Sequence, residues 1–177
     1  PEVVREIRFS DRAPAQAAVL IPIVMHGTDA DSMTVLLTER TAHLSTHSGQ
    51  IAFPGGRVDE CDVDAPAAAM REAFEEVGLE YRFVQVLGTL PVYVTGTAFQ
   101  VTPVVALVQP GFSLQPNAFE VADVFEVPLA FLMNPANHRR HAFDWEGVRR
   151  EWFSMPYHEK GDGQVRERFT WGASAGM

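Results

Sequence analysis

Apolar positions in this chain fall into short runs separated by polar turns. VLIPIVM, residues 19–25, is a continuous apolar run of strand length, the pattern of a strand covered on both faces. MTVLLTE, residues 33–39, follows the polar turn HGTDADS and predicts a second strand. QIAFPGG, residues 50–56, reads as a short strand running into a turn, because Pro54 and the glycine pair oppose its continuation. Helical spacing follows over 66–77, where Ala69, Ala73, Phe74 and Val77 fall on one side, expected to pack on a sheet. Asp64 is placed to cap its start, Pro66 is tolerated in its first turn, and Gly78 suits its C-terminal cap.

FVQVLGTLPVYV (83–94) and FQVTPVVALVQ (99–109) predict two long, paired strands. VPLAFLMN predicts a short helix starting at Pro128, and VRREWFSMPYHE (148–159) and VRERFT (165–170) two further strands. The closing WGASAGM reads as a helix just beginning, and the sequence is expected to be truncated there. Strands outnumber helices without alternating with them, which predicts an α+β fold with helices packed on a mixed sheet. No repeat, low-complexity tract or linker interrupts the 177 residues, so one domain over 1–177 is expected.

Composition narrows the function. A formal net charge of −9 opposes sequence-blind nucleic-acid binding, which needs clustered Lys and Arg. It leaves room for phosphorylated small molecules, because divalent cations bridge carboxylates and phosphates. The longest apolar run, residues 17–25, is far short of the roughly 20 residues that span a bilayer. No signal peptide is visible, although a leader preceding Pro1 could have been cut away. Cys61 is the single cysteine, which excludes an internal disulfide and suits a reducing cytoplasm. No basic neighbour in sequence activates it, so its thiol is read as incidental.

Charge is concentrated in REAFEEVGL, residues 71–79, where Glu72, Glu75 and Glu76 are related by i, i+3 and i+4. Like charges at that spacing cost a few tenths of a kcal/mol per pair. One reading is a solvated acidic face, with Arg71 paired to Glu75 across one turn. The other is a site for a hard cation such as Mg²⁺, which takes oxygen ligands and retains water. The upstream FPGG (53–56) adds main-chain groups that a tight glycine loop can bring close to the carboxylates.

At these residues the chain resembles the Nudix hydrolases. GRVDECDVDAPAAAMREAFEEVGL, beginning at Gly56, resembles the Nudix box G-x5-E-x7-R-E-U-x-E-E-x-G-U, matching at Arg71, Glu72, Ala73, Glu75, Glu76, Gly78 and Leu79. Asp62 takes the early acidic position, with eight residues rather than seven before Arg71. That extension resembles the coenzyme A pyrophosphatase branch. LLTERTAHLSTHSGQIAFPGG (36–56) is similar to the signature preceding the box there, with Thr41 in place of a serine and Ser45 in place of an arginine. FQVTPVV, EVADVFEVPLAFL and the closing WGASAGM also resemble this branch.

The resemblance implies a Nudix fold, an α/β/α sandwich with a central mixed β-sheet and a loop–helix–loop metal site. It implies that Glu72, Glu75 and Glu76 bind one to three Mg²⁺ or Mn²⁺ ions, with Glu72 and Glu76 the strongest pair and the Gly55 carbonyl a further ligand. Arg71 is expected to orient a glutamate, and Asp59 and Asp62 to hold outer waters, hold Arg71 or simply form a turn. Glu72 is one candidate general base and Glu120 another, the latter weighed against a plain capping or surface role. Arg40, Gly55 and Gly56 are expected at the substrate, whose phosphates suit arginine. His43 and His47 could also reach it, with a surface role the plainer reading. Phe53, Tyr93 and Phe99 are assigned to the core, with contact to adenine or pantetheine as the lesser reading.

The implied reaction is hydrolysis of the diphosphate of coenzyme A or its derivatives, giving 3′,5′-ADP and 4′-phosphopantetheine or its acyl form. Two alternatives stand: a Nudix pyrophosphatase for ADP-ribose, a dinucleotide or a nucleoside triphosphate, and a catalytically silent domain that binds a nucleotide or a protein. The expected partner is a small molecule, with no nucleic acid and no membrane; a homodimer is left open, and the location expected is cytoplasmic.

Overall fold

The computed structural model describes residues 13–27, 29, 32–43, 48–145, 148–161 and 163–177. Its frame is a mixed sheet built around β1 (Ala15–Met25) and β7 (Phe99–Val108), which run parallel over ten residue pairs from Ala15↔Phe99 to Val24↔Val108. β2 (Met33–Arg40) pairs antiparallel with the C-terminal end of β1, and β3 (Ile51–Ala52) flanks β2. On the far side of β7 lies β5 (Val84–Thr89). β4 (Gly55–Arg57) joins the N-terminal half of β1, β6 (Tyr93–Val94) joins β7, and β8 (Val121–Pro128) pairs with β2. A separate antiparallel sheet has the order β11–β10–β9, from β9 (Arg139–Trp145), β10 (Val148–Gly161) and β11 (Gln164–Trp171).

Helix α1 (Ala65–Val77) forms where the local signals place it. The Asp64 side chain accepts the Ala67 N–H at 2.8 Å, Pro66 lies in the first turn, and Gly78 closes the helix in the left-handed region at φ 72°. Its packed face is made of small residues: Ala68, Ala69, Ala73 and Val77 lie against Ala18, Leu20, Val24, Val104, Ala106 and Val108. Side chains this small bring the helix axis close to the sheet, and with it the carboxylates on the flank. Phe74, expected on that face, is 49% exposed and tilts against Tyr81 with ring centroids 5.7 Å apart.

Short helices α2 (Leu129–Met133), following Pro128, and α3 (Ala173–Gly176) complete the fold. This is the expected α+β sandwich on a central mixed sheet. The two sheets are joined where Arg168 of β11, 4% exposed along its side chain, meets Glu39 at 2.9 Å and Asp123 at 2.7 Å. Phe131 of α2 adds a T-shaped contact with Tyr157 of β10, centroids 5.0 Å apart.

Several elements depart from expectation. The glycine pair continues pairing rather than ending it, because glycine allows β4 to lie directly on β1. The long strand expected over 83–94 is divided between β5 and β6, with a bulge between Val86 and Gly88. β8 and β9 were not foreseen: in β8 the acidic residues obscure a buried set, Val121, Phe125 and Val127, that rests on β2 and the core.

Candidate functional site

The pairing of β4 sets up the site. Leu20 N–H donates to the Pro54 carbonyl and Val58 N–H to the Gln16 carbonyl, with Ala18↔Gly56 in the same register. Alternation along an antiparallel ladder then aims the Gly55 N–H and C=O away from β1. On that open side the Gly55 N–H meets Glu76 Oε2 at 3.1 Å. Glu72, one turn earlier, lays its carboxylate against Gly56, where an added Cβ would stand 2.5 Å from Oε1. Two consecutive residues with no side chains, Gly55 and Gly56, therefore receive two carboxylates from one helix.

Arg71 organises the flank. Its guanidinium donates to Asp62 Oδ1 and Oδ2 at 3.0 and 2.9 Å, to the Arg57 carbonyl at 3.0 Å, to Glu72 Oε1 at 3.1 Å and to Glu75 Oε2 at 3.0 Å. Asp62, only 4% exposed along its side chain, is held below the ordinary carboxylate range by the Arg71 hydrogen bond and the Asp59 N–H. Arg71 is raised in turn, chiefly by its bond to Asp62. Arg71 thus fixes Glu72 and occupies Glu75. Glu75 is largely exposed, in the (i, i+4) pair that the plainer sequence reading anticipated. Asp59 is exposed, with Oδ2 3.6 Å from Arg71.

Glu76 is the buried member. Burial pushes its carboxyl up to about 7, against the pull of the Gly55 N–H, with Glu72 and Glu120 adding to the rise and Arg40 opposing it. Glu72 is also raised, first by burial and against Arg71. Glu120 acts on Glu76 because its loop closes over the end of α1. Asn117 N–H donates to the Glu76 carbonyl at 2.8 Å, and the Glu120 carbonyl accepts from Thr41 at 3.0 Å. Arg40 Nη1 stands 3.9 Å from Glu76 Oε1, and its buried Nε has no hydrogen-bond partner among the described residues.

No three carboxylate, imidazole or thiol groups among the described residues close a metal cage by themselves. Glu72 and Glu75 turn to Arg71 while Glu76 turns to Gly55. What Glu72, Glu76 and the outward Gly55 carbonyl offer is a partial set of hard oxygen donors at a low-dielectric edge. Such a set fits Mg²⁺ or Mn²⁺ with water and phosphate oxygens completing the shell. A partly buried carboxylate with a raised pKa is the group that gains most from an adjacent cation.

Beyond Arg40 a cleft of about 500 Å³ opens between the two sheets, lined in part by Gln50, Phe53, Tyr93, Phe99 and Trp171. Phe53, Tyr93 and Phe99, assigned to the core by their apolar character, are half-buried walls of this cleft. Arg57 lies over the Phe99 ring at 5.4 Å. Gln50 and Trp171 were not singled out by sequence, and no spacing rule places them on one cleft with Arg40. His43 stacks at a tilt on Phe119, centroids 5.1 Å apart. Cys61 is exposed and free; Ser45 and His47 lie outside the described residues. None of the described helices is long and apolar enough to cross a membrane.

Comparison with known proteins identifies the family and the fold. The model of the NUDIX domain family matches residues 14–145. The chain is 41% identical over 163 residues to the uncharacterized Nudix hydrolase NudL of Escherichia coli K12, covering 92% of this chain and 78% of that one. Among solved structures, a Nudix hydrolase from M. smegmatis, RenU, superposes with a TM-score of 0.55 at 25% identity, over 72% of this chain and 79% of that one. A NUDIX hydrolase from Alicyclobacillus acidocaldarius shares the fold, with a TM-score of 0.54 at 18% identity over 72% and 85% of the two chains. This chain belongs to the NUDIX domain family and is an enzyme, a Nudix hydrolase.

Proposed function

We propose that this enzyme is a divalent-metal-dependent pyrophosphatase that cleaves the diphosphate of coenzyme A or its derivatives. The observation that carries the reading is the seating of Glu72 and Glu76 on the Gly55–Gly56 backbone, with Arg40 beside Glu76 and its Nε unpaired. The resemblance over 36–56 to the coenzyme A signature supports the substrate.

Glu72, Glu76 and the Gly55 carbonyl would hold the cation, with Glu75 supplying a further carboxylate at the exposed edge. A bound Mg²⁺ or Mn²⁺ would withdraw charge from the phosphate oxygens and lower the pKa of the attacking water. Arg40 binds a phosphate oxygen through its fork of donors. Arg71 holds Glu72 in place, and Gly56 keeps that carboxylate against the strand. Glu72 or Glu120 accepts the proton of the attacking water. The P–O bond of the diphosphate breaks, leaving 3′,5′-ADP and 4′-phosphopantetheine or its acyl form. The thiol takes no part. The reaction belongs among other soluble small molecules, which suits a cytoplasmic enzyme.

Chromatographic product analysis tests this. Coenzyme A, ADP-ribose, NADH and nucleoside triphosphates are offered separately with Mg²⁺, with Mn²⁺ and with chelator, and Glu76→Gln runs beside the wild type. Release of 3′,5′-ADP mainly from coenzyme A, abolished by chelator and by the variant, is expected. Preference for another diphosphate discards the substrate and keeps the carboxylate chemistry. No turnover of any of them sinks the pyrophosphatase reading in favour of a nucleotide- or protein-binding domain.

A further inference from the structure

We propose that Thr41 is a positioning residue for Glu120: its buried hydroxyl and its main-chain N–H clamp the Phe119–Glu120 turn and hold the Glu120 carboxylate where it can take a proton from the attacking water. The inference rests on the pyrophosphatase reading and names Glu120, rather than Glu72, as the proton acceptor.

Thr41 directly follows β2 and is only 6% exposed. The β2–β8 ladder ends at Arg40↔Val121 after a register shift, so Thr41 lies just beyond it. There it holds two successive carbonyls. Its N–H donates to the Glu120 carbonyl at 3.0 Å and its Oγ1 to the Phe119 carbonyl at 2.9 Å. Successive carbonyls of a pleated strand point to opposite sides, so one residue can hold both only where the chain turns. Asn117 binds the same turn from the other side. Its Oδ1 accepts the Phe119 N–H at 3.1 Å, and its carbonyl accepts the Glu120 N–H at 2.9 Å. All four main-chain polar groups of Phe119 and Glu120 are thereby bonded, two by Thr41 and two by Asn117. Asn117 also donates its N–H to the Glu76 carbonyl at 2.8 Å, which ties the turn to the end of α1.

The Glu120 side chain is half-buried, and no hydrogen bond or ion pair holds its carboxylate among the described residues. It lies close enough to Glu76 for its charge to act there. Glu72, the other candidate base, is already engaged: Arg71 donates to its Oε1 at 3.1 Å, and the carboxylate is seated against Gly56 on the side offered to a cation. A guanidinium and a cation both favour the ionised form, so a carboxylate shared between them is a poor proton acceptor. Glu120 carries no guanidinium. A proton acceptor must also be held within hydrogen-bond reach of its water. A turn with every main-chain group bonded and an unengaged carboxylate supplies that placement before substrate arrives, with little conformational freedom left to lose.

Steady-state hydrolysis of coenzyme A with Mg²⁺ compares the wild type with Thr41→Val, Thr41→Ser, Glu120→Gln and the pair Thr41→Val with Glu120→Gln. Thr41→Val keeps nearly the same shape without the hydroxyl. It is expected to lower kcat about 10- to 100-fold while KM stays within about twofold. Thr41→Ser restores the hydroxyl and is expected to recover most of kcat. Glu120→Gln lowers kcat about 10²-fold or more, and Thr41→Val added to it changes kcat by less than about twofold. Amide hydrogen exchange supplies a readout without turnover: the Phe119 and Glu120 N–H groups exchange faster in Thr41→Val and not in Thr41→Ser. Thermal melts confirm that the variants fold. Unchanged kcat in folded Thr41→Val, no recovery in Thr41→Ser, or an equal loss in the Glu120→Gln background overturns the proposal. Exchange unchanged in Thr41→Val removes the clamp whatever the turnover. A wild type that hydrolyses none of the diphosphates, with the exchange contrast intact, sinks the pyrophosphatase reading and the proton-acceptor role with it, and leaves the clamp.

Discussion

The Glu72 carboxylate rests on the α-carbon of Gly56, so closely that a Cβ there would stand 2.5 Å from its Cδ and from Oε1. The neighbouring glycine is tight for a different reason. A Cβ on Gly55 would meet the Ala18 carbonyl oxygen at 2.4 Å and Val19 Cα at 2.6 Å. The first obstacle is the end of a flexible side chain and the second is the backbone of a central strand. Gly56→Ala is therefore expected to fold and to lose about 10²-fold in kcat/KM through displacement of Glu72. Gly55→Ala is expected to cost about 1–3 kcal/mol of stability. Denaturant melts and steady-state kinetics on both variants check the contrast. Comparable losses of stability in the two would defeat it.

Glu76 makes stability depend on pH in an unusual direction for a carboxylate. Its pKa in the fold, about 7, lies above its ordinary value of 4.5. Between those values the folded state binds more protons than the unfolded state, so stability falls as pH rises. The whole window is worth about 3 kcal/mol at most. With chelator present, melting temperature should decline from pH 5 to pH 8, and Glu76→Gln should flatten that slope. Mg²⁺ or Mn²⁺ should restore stability at pH 8, since a cation favours the ionised carboxylate. A wild-type slope identical to that of the variant would remove Glu76 as its source.

How much of this was legible in the sequence follows the range of the interactions. Asp64, Pro66 and Gly78 act within one turn of their own helix, and α1 lies where they place it. The carboxylate spacing is equally local, so Glu72 and Glu76 could be paired on paper. Gly55–Arg57 could not be read as a strand, because its partner Ala17–Val19 lies far upstream and glycine carries no strand propensity. Arg40 reaches Glu76 only through the crossing of β2 past α1. Phe53, Tyr93 and Phe99 have the same apolar character whether they fill a core or line a cleft, and only the position of the second sheet separates the two.

Arg71 binds three acidic groups put to different uses. Asp62 anchors the guanidinium with two bonds, and the remaining donors reach Glu72 and Glu75. Lysine would keep the charge and lose the fork. Arg71→Lys is expected to fold, to weaken Mn²⁺ binding and to lower kcat, each by about 10- to 100-fold, the usual range for a group that orients a ligand. Asp62→Asn should act in the same direction and combine with Arg71→Lys less than additively. Mn²⁺ titration followed by electron paramagnetic resonance supplies a readout independent of turnover. Full additivity would mean that Asp62 does not work through Arg71.

Arg168 ties the second sheet to the first through Glu39 and Asp123. Three carboxylates converge on it, Glu39 at 2.9 Å and Asp123 and Glu159 at 2.7 Å, while its guanidinium lies 3.9 Å over the Phe125 ring. Glu39 and Asp123 retain Arg166 as a second partner, each at 2.8 Å, but Arg166 is the more exposed and weaker tie. Arg168→Met keeps the length and apolar stem of the side chain while leaving Glu159 without a cationic partner and Glu39 and Asp123 to Arg166. The carboxylates keep a quarter to a third of their exposure, so the loss falls below the ~3–5 kcal/mol of a fully buried network, to about 1–2 kcal/mol. The variant is expected to melt at lower temperature while keeping the α1 carboxylates in place. Adding Glu159→Leu, which removes the carboxylate left without a cationic partner, should recover part of the stability. A single variant as stable as the wild type would show that apolar contacts such as Phe131–Tyr157 dock the second sheet by themselves.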